Sequence, residues 1–355
     1  MFAAAVRDAA DEVGGDCRLA VQVTQADAIW SGKDFRPMLE ALSGPSRRSV
    51  GIRPGAGYYL EEAPRGMIRK SLSVAREAER CRDCGGLVGT VCYEEDNYPW
   101  RVLHKSPGAI MTEGALALAS GCDSLSLYWY SHAAPEPIEE YDRFLRTLAK
   151  ARPYFERLAA SVRRTRLGGV ARFVGSAVGE SREFNISSYF DYDLACAGIP
   201  VTVAESGTKV WYVTKKSRNE MTEADKAAVA GRVVEISDVG KYPLASRRTK
   251  LLDDLDAVTR DAFPVRVDEC RPLRILPRVR PDGKLDSVTL LNLSVGDTDE
   301  LRVRVRNPAT DRAVLRDTKG GVPAALAVKP GKSPIERVVE LPNVAGWQIC
   351  TIFFE

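Results

Sequence analysis

Leu87-Val88-Gly89-Thr90-Val91-Cys92-Tyr93-Glu94-Glu95-Asp96-Asn97 is a short apolar, β-rich run that opens directly onto three acids. Bounded by Gly85-Gly86 before it and by a loop containing Pro99 after it, the run predicts a buried strand over 87–93. Apolar residues recur at helical spacing over 64–82 upstream and over 109–119 downstream, where Gly121 closes the pattern. A buried strand set between two helices belongs to a parallel sheet with helical crossovers.

The alternation repeats outward in both directions. A helix over 2–13 precedes a strand over 19–24, a helix over 34–42 precedes a strand over 49–53, and a strand over 124–130 leads to a helix over 138–151. Four βα units in succession leave an open doubly wound sheet or a barrel. No G-x-G-x-x-G opens a helix after any of these strands, so the dinucleotide-type fingerprint is missing. Polar and aromatic residues instead gather at every strand's carboxyl end: Gln25, Asp27 and Trp30; Arg53, Tyr58 and Tyr59; Glu94, Glu95 and Asp96; then Trp129. Those ends carry the active site in barrels. The expectation is therefore an α/β chain whose residues 1–160 form the second half of a (β/α)8 barrel. Half a barrel leaves two parallel edges unpaired, so four further βα units are expected ahead of Met1.

Beyond Pro153 the texture changes. Strands over 170–174, 201–204, 210–214 and 233–236 alternate with helices over 186–197 and 222–230, a smaller α/β unit within 161–262. A helix over 251–263 then leads into an all-β tail, 263–355. Asp282-Gly283 signals a hairpin there, and 288–295, 301–306 and 347–354 read as strands of a β-sandwich.

At 355 residues the chain is long enough for two or three domains. Its 51 basic and 48 acidic side chains nearly cancel, which gives no general attraction to nucleic acid. The Arg-rich stretches 163–166 and 247–248 are short and lack interleaved stacking aromatics. No apolar run reaches the roughly 18 residues of a membrane span, and Met1 opens an amphipathic segment, so a cytoplasmic protein without a membrane partner is expected. The eight cysteines are scattered among apolar stretches. Cys81 and Cys84 form a lone CxxC, read as packing thiols in preference to a metal or redox pair, because a structural zinc site needs four ligands, no second CxxC exists and the chain holds only two histidines, His104 and His132. No cofactor and no metal is expected.

The acidic run is the candidate chemistry. Cleaving a glycosidic bond takes one carboxyl to protonate the leaving oxygen and a second to attack or to activate water. By position, Glu94 at the strand mouth is favoured, with Glu95 one register away; the alternative is a solvated acidic loop paired with Arg101 or Lys105. Gln25, Asp27, Trp30, Arg53 and Tyr58 stand where they could bond or stack on a sugar.

The run from Tyr93 through Lys105-Ser106-Pro107-Gly108 and Ala115-Leu116-Ala117-Leu118-Ala119-Ser120-Gly121-Cys122-Asp123 to Leu127-Tyr128-Trp129 resembles the family 42 β-galactosidases. In that family a nucleophilic Glu ends strand seven, a Lys-Arg-Pro-Gly element follows, a helix ends in an Ala-x-Gly-Ala-Asp turn, and strand eight delivers a Trp. The resemblance implies a retaining glycosidase with a carbohydrate substrate and with Glu94, or else Glu95, as nucleophile. It places Lys105 in the loop before the helix and makes Trp129 an apolar platform for the sugar. Ser106 stands where the family has Arg, and the loop is shorter. The middle unit, with Ala197-Gly198-Ile199-Pro200-Val201 and Met221-Thr222-Glu223-Ala224-Asp225, resembles the family's flavodoxin-like trimerisation domain, and the tail resembles its small sandwich. A homotrimer is what this resemblance implies. The family's acid/base Glu ends strand four, and no residue here takes that role. The chain by itself is thus expected to be nearly inactive, or to serve as a non-catalytic carbohydrate-binding or oligomerisation module.

Overall fold

The computed structural model describes residues 2–14, 17–24, 35–55, 64–96, 105–128, 138–172, 188–202, 211–214, 219, 221–228, 233–236, 263–269 and 271–355. The first unit alternates helix and strand: α1 (Phe2–Val13), β1 (Ala20–Thr24), α2 (Phe35–Ser43), β2 (Val50–Gly55), α3 (Pro64–Asp83), β3 (Val88–Asp96), α4 (Pro107–Ser120), β4 (Ser124–Tyr128) and α5 (Ile138–Arg163). Its four strands are parallel and lie side by side in chain order. Winding in one direction puts the crossover helices on a single face. On that face Ile52, Val91 and Tyr93 are buried in one core with Leu39 of α2, Leu72 of α3 and Leu116 of α4.

Helix α4 is apolar around most of its circumference, and so it is buried on nearly every side. Its start is built as the sequence suggests, with Ser106 Oγ accepting from the Ala109 N–H at 3.1 Å and Pro107 in the first turn. Its end requires Gly121, whose φ of 134° is open only to glycine and where a Cβ would lie 2.9 Å from the Ala78 methyl.

Several boundaries differ from expectation, among them the strand expected over 288–295, which is Leu285–Asn292, and two that matter for packing. Strand β3 continues through the acids to Asp96, because Glu94, Glu95 and Asp96 pair with Ser126, Leu127 and Tyr128 of β4. Helix α5 runs through Pro153 to Arg163. Proline there removes one backbone donor, and packing of Tyr154, Phe155, Leu158 and Val162 keeps the helix intact.

After β5 (Arg166–Leu167) come β6 (Val170–Arg172), α6 (Ser188–Cys196), β7 (Val201–Thr202), β8 (Trp211–Thr214), α7 (Glu223–Ala228) and β9 (Val233–Ile236). These last four strands form a parallel sheet ordered β7-β6-β8-β9. The helix expected over 251–263 falls almost wholly outside the described residues.

The tail is all β: β10 (Val265–Val267), β11 (Leu273–Val279), β12 (Leu285–Asn292), β13 (Leu301–Arg306), β14 (Ala313–Asp317), β15 (Ala324–Leu326), β16 (Val328–Pro330), β17 (Glu336–Leu341) and β18 (Ile349–Phe354). One antiparallel sheet is ordered β10-β13-β17-β16 and the other β15-β14-β18-β12-β11-β5. Val303, Val305 and Val339 of the first share a core with Ile275, Leu290 and Ile352 of the second. The six-stranded sheet is buried on its other face as well, beneath α5. There Tyr154 and Thr351 bond through their hydroxyls at 2.8 Å, the Ser161 hydroxyl donates to Asp286 at 2.6 Å, and the Arg157 guanidinium stacks 4.3 Å over the Phe353 ring.

Two buried arginines of β11 join the units. Arg274 donates to Ser71 Oγ on α3 and to the Val201 carbonyl on β7, while Arg278 donates to Thr165 Oγ1 and to the Val162 and Thr165 carbonyls at the end of α5. Cys81 and Cys84 are buried in the first core. The described residues hold no group of three or more His, Cys, Asp or Glu side chains suited to a metal. No described helix is long and apolar enough to cross a membrane.

Candidate active site

Alternation along a strand sends successive side chains to opposite faces. In the parallel sheet, Ile52, Val91, Tyr93 and Glu95 point to the helix side, so Arg53, Thr90, Cys92 and Glu94 share the other face. Register adds Gln22, paired with Arg53, and Ser124 and Ser126, paired with Cys92 and Glu94. Gln22 is exposed and the other residues are partly open to solvent, although the Ser124 hydroxyl oxygen itself is shielded. A parallel sheet usually carries apolar cover on both faces, and among the described residues this one carries it on one.

The two adjacent glutamates are separated by this parity. Glu95 is 2% exposed and lies against α4, where a methyl on Gly114 would come within 3.3 Å of its Oε2. The Glu94 side chain is 28% exposed on the open face. Its Oε1 sits 2.9 Å from Arg53 Nη1, and its Oε2 accepts from Gln22 Nε2 at 3.4 Å. Arg53 Nη2 also donates to Gln22 Oε1, which closes a three-strand network of β1, β2 and β3. A guanidinium that bonds a carboxylate and an amide at once fixes the orientation of both.

The position of Glu94 across from Ser126 depends on a turn three residues upstream. The Val91 N–H donates to Asp123 Oδ1 at 3.0 Å, and the Asp123 N–H donates to the Val91 carbonyl at 2.9 Å. Asp123 thus pins the start of β4 to β3, which is a structural reason for an Asp at that turn.

Lys105 is placed elsewhere. Its ammonium is buried and donates to both oxygens of Glu113 at 2.9 and 2.8 Å, so it anchors the segment entering α4. Gln25, Asp27, Trp30, Tyr58 and Trp129 lie outside the described residues. Gln22 was not singled out by sequence, although it stands two positions from Thr24 and shares its parity with Arg53 through the parallel pairing. In the Arg-rich stretch, Arg164 pairs with Asp286 at 3.1 Å and Arg166 with Glu79 at 3.2 Å, both internal partners.

No family model matches the chain, and no curated protein matches it by sequence. Among solved structures it is similar to a rhamnosidase from a Novosphingobium species, with a TM-score of 0.54 at 13% identity. It is also similar to alpha-L-fucosidase isoenzyme 2 from Paenibacillus thiaminolyticus, with a TM-score of 0.52 at 11% identity. Each match covers 90% of this chain; the chain spans 39% of the rhamnosidase and 71% of the fucosidase. The fold, a mixed α/β arrangement, is similar to that of these two enzymes.

Proposed function

We propose that the open polar face of the parallel sheet is the nucleophile side of a retaining glycosidase site, β-galactosidase-like, with Glu94 as the attacking carboxylate. The observation that carries this is the contrast between neighbours: Glu95 is buried against a helix, while Glu94 is presented, oriented by Arg53 and Gln22, at the carboxyl end of a parallel strand. The family 42 resemblance agrees with a carboxylate at this strand end and with three units in the order 1–160, 161–262 and 263–355. It also suggests a trimer held by the middle unit, whose strand order β7-β6-β8-β9 suits a doubly wound domain.

Retaining cleavage takes a second carboxyl about 5 to 5.5 Å away. Strand parity puts Asp96 on the same face as Glu94, and its side chain lies outside the described residues. A second reading is a carbohydrate-binding module that turns nothing over.

A substrate that needs no acid separates the two. In 2,4-dinitrophenyl β-D-galactoside the C1–O bond breaks to release a stable phenolate while Glu94 bonds to C1, so no proton is required. The chain should release about one equivalent of dinitrophenolate and then stall, and Glu94→Gln should release none. Sugar binding with no burst would favour the module reading.

A further inference from the structure

Six large apolar side chains stand exposed among the described residues, and four of them gather at the two ends of the first unit. Helix α1 precedes β1 and helix α5 follows β4, the two edge strands of the parallel sheet. On α1, Ala3 and Val6 pack on the first core, while Phe2, Ala5, Ala9 and Val13 recur at helical spacing along an exposed side. Phe2 is 84% exposed and Val13 88%. On α5, Leu145 is 56% exposed, with exposed Ala149 one turn on. The loop carrying Val322, 94% exposed, lies against the same helix, for Gly320 sits so close to the Lys150 carbonyl that a Cβ would overlap it. Apolar residues exposed singly need no explanation, whereas clusters mark contact surfaces.

The charges beside the two clusters are opposite. Asp8 and Glu12, four residues apart, flank the α1 stripe, and Arg146 and Lys150, also four apart, flank Leu145 and Ala149. All four are exposed, and none makes an ion pair or a side-chain hydrogen bond among the described residues. From Arg143 to Arg152 α5 carries four cations and no anion. The one cation of α1, Arg7, is buried and bonded to Asp11.

We propose that the two surfaces meet between two copies of this chain, α1 of one protomer against α5 and the 320–323 loop of the other, the contact being made twice about a two-fold axis. Opposite charge at matching spacing selects this pairing over α1 against α1, which would set Asp8 and Glu12 beside their own copies. One pair of helices is a small interface, and making the contact twice doubles the buried area and leaves neither stripe exposed. No residue of the candidate site takes part, so the proposal stands apart from the sugar-site reading and from the trimer suggested for the middle unit.

Sedimentation velocity of the full chain at low salt tests this. Asp8→Lys with Glu12→Lys, and separately Arg146→Glu with Lys150→Glu, should each weaken association at least tenfold and halve the mass of the sedimenting species. An equimolar mixture of the two variants should regain the parent's mass, because each reversed helix then meets its complement. Added salt should weaken association of the parent. All four positions are exposed, so an unchanged circular dichroism spectrum verifies that the variants fold. A parent that sediments as a single copy, variants that keep the parent's mass, or a mixture that stays at half of it would overturn the proposal.

Discussion

Two sheet faces in this molecule are polar, and they have opposite fates. The six-stranded sheet turns Arg278, Ser287, Thr289 and Thr351 toward α5, which covers them: Arg278 donates to Thr165 Oγ1 and two carbonyls, Ser287 pairs with Ser161, Thr351 with Tyr154, and Thr289 with Thr351 beside it. The parallel sheet turns Gln22, Arg53, Glu94 and Ser126 away from its helices, and they stay partly exposed. Polar groups under a helix must be matched or they cost the fold dearly; polar groups on an open face cost little and are free to meet a ligand. The first face is a joint between units. The second is the candidate site.

That contrast is most easily broken by removing one arginine from each face. Arg278→Ala strips three hydrogen bonds from a buried seam and leaves its partners unanswered, so chemical denaturation should show a loss of about 3–5 kcal/mol. Arg53→Ala, at a partly exposed pair, should stay within about 1 kcal/mol of the parent. Similar losses from both would erase the distinction.

A smaller effect sharpens the register on which the site depends. Asp123→Ala leaves the buried Val91 N–H without its acceptor, a loss of about 1–3 kcal/mol, and frees β4 to shift against β3. Amide exchange at Val91 should quicken accordingly; unchanged exchange would mean the turn does not hold the register.

The joint should also respond to acid. Burial is the largest influence on Asp286 and pushes its carboxyl up, but bonds from Ser161 and Arg280 and the charge of Arg164 together outweigh it and hold the group below its ordinary value of 3.8. A lowered folded pKa means the stabilisation is fully present above the unfolded value and fades as pH falls through the folded one. Stability measured from pH 5 downward should therefore decline with a slope that Asp286→Asn reduces. A slope identical in the variant would place the acid sensitivity elsewhere. Ser106→Ala, which loses the cap of α4, should be the mildest change, about 1 kcal/mol by thermal melt.

Much of the architecture was legible from periodicity. The helix over 2–13 and the strands over 233–236 and 301–306 coincide with the observed elements because apolar spacing there is undisturbed. Element ends were harder. Three successive acids look like a loop, yet pairing with β4 keeps Glu94 to Asp96 extended; Pro153 looks like a stop, yet tertiary packing carries α5 past it. Arg274 and Arg278 stand in β11 where outward polar residues would, and only Leu276, at the same parity between them, signals that this face is covered. For the site, a carboxylate at this strand end could be read from the sequence. Which of two adjacent glutamates faces outward could not, because one residue of register reverses every side chain, and the register is set by Asp123 and by partners far along the chain.

Whether Glu94 is the reacting carboxylate is the question that matters most. Treating the chain with a 2,4-dinitrophenyl 2-deoxy-2-fluoro-β-D-galactoside and mapping the peptides by mass spectrometry answers it. The account predicts a fluorosugar ester on Glu94, retained in Glu95→Gln and absent from Glu94→Gln. An ester on Glu95, or no ester on either residue in a folded chain, would contradict it.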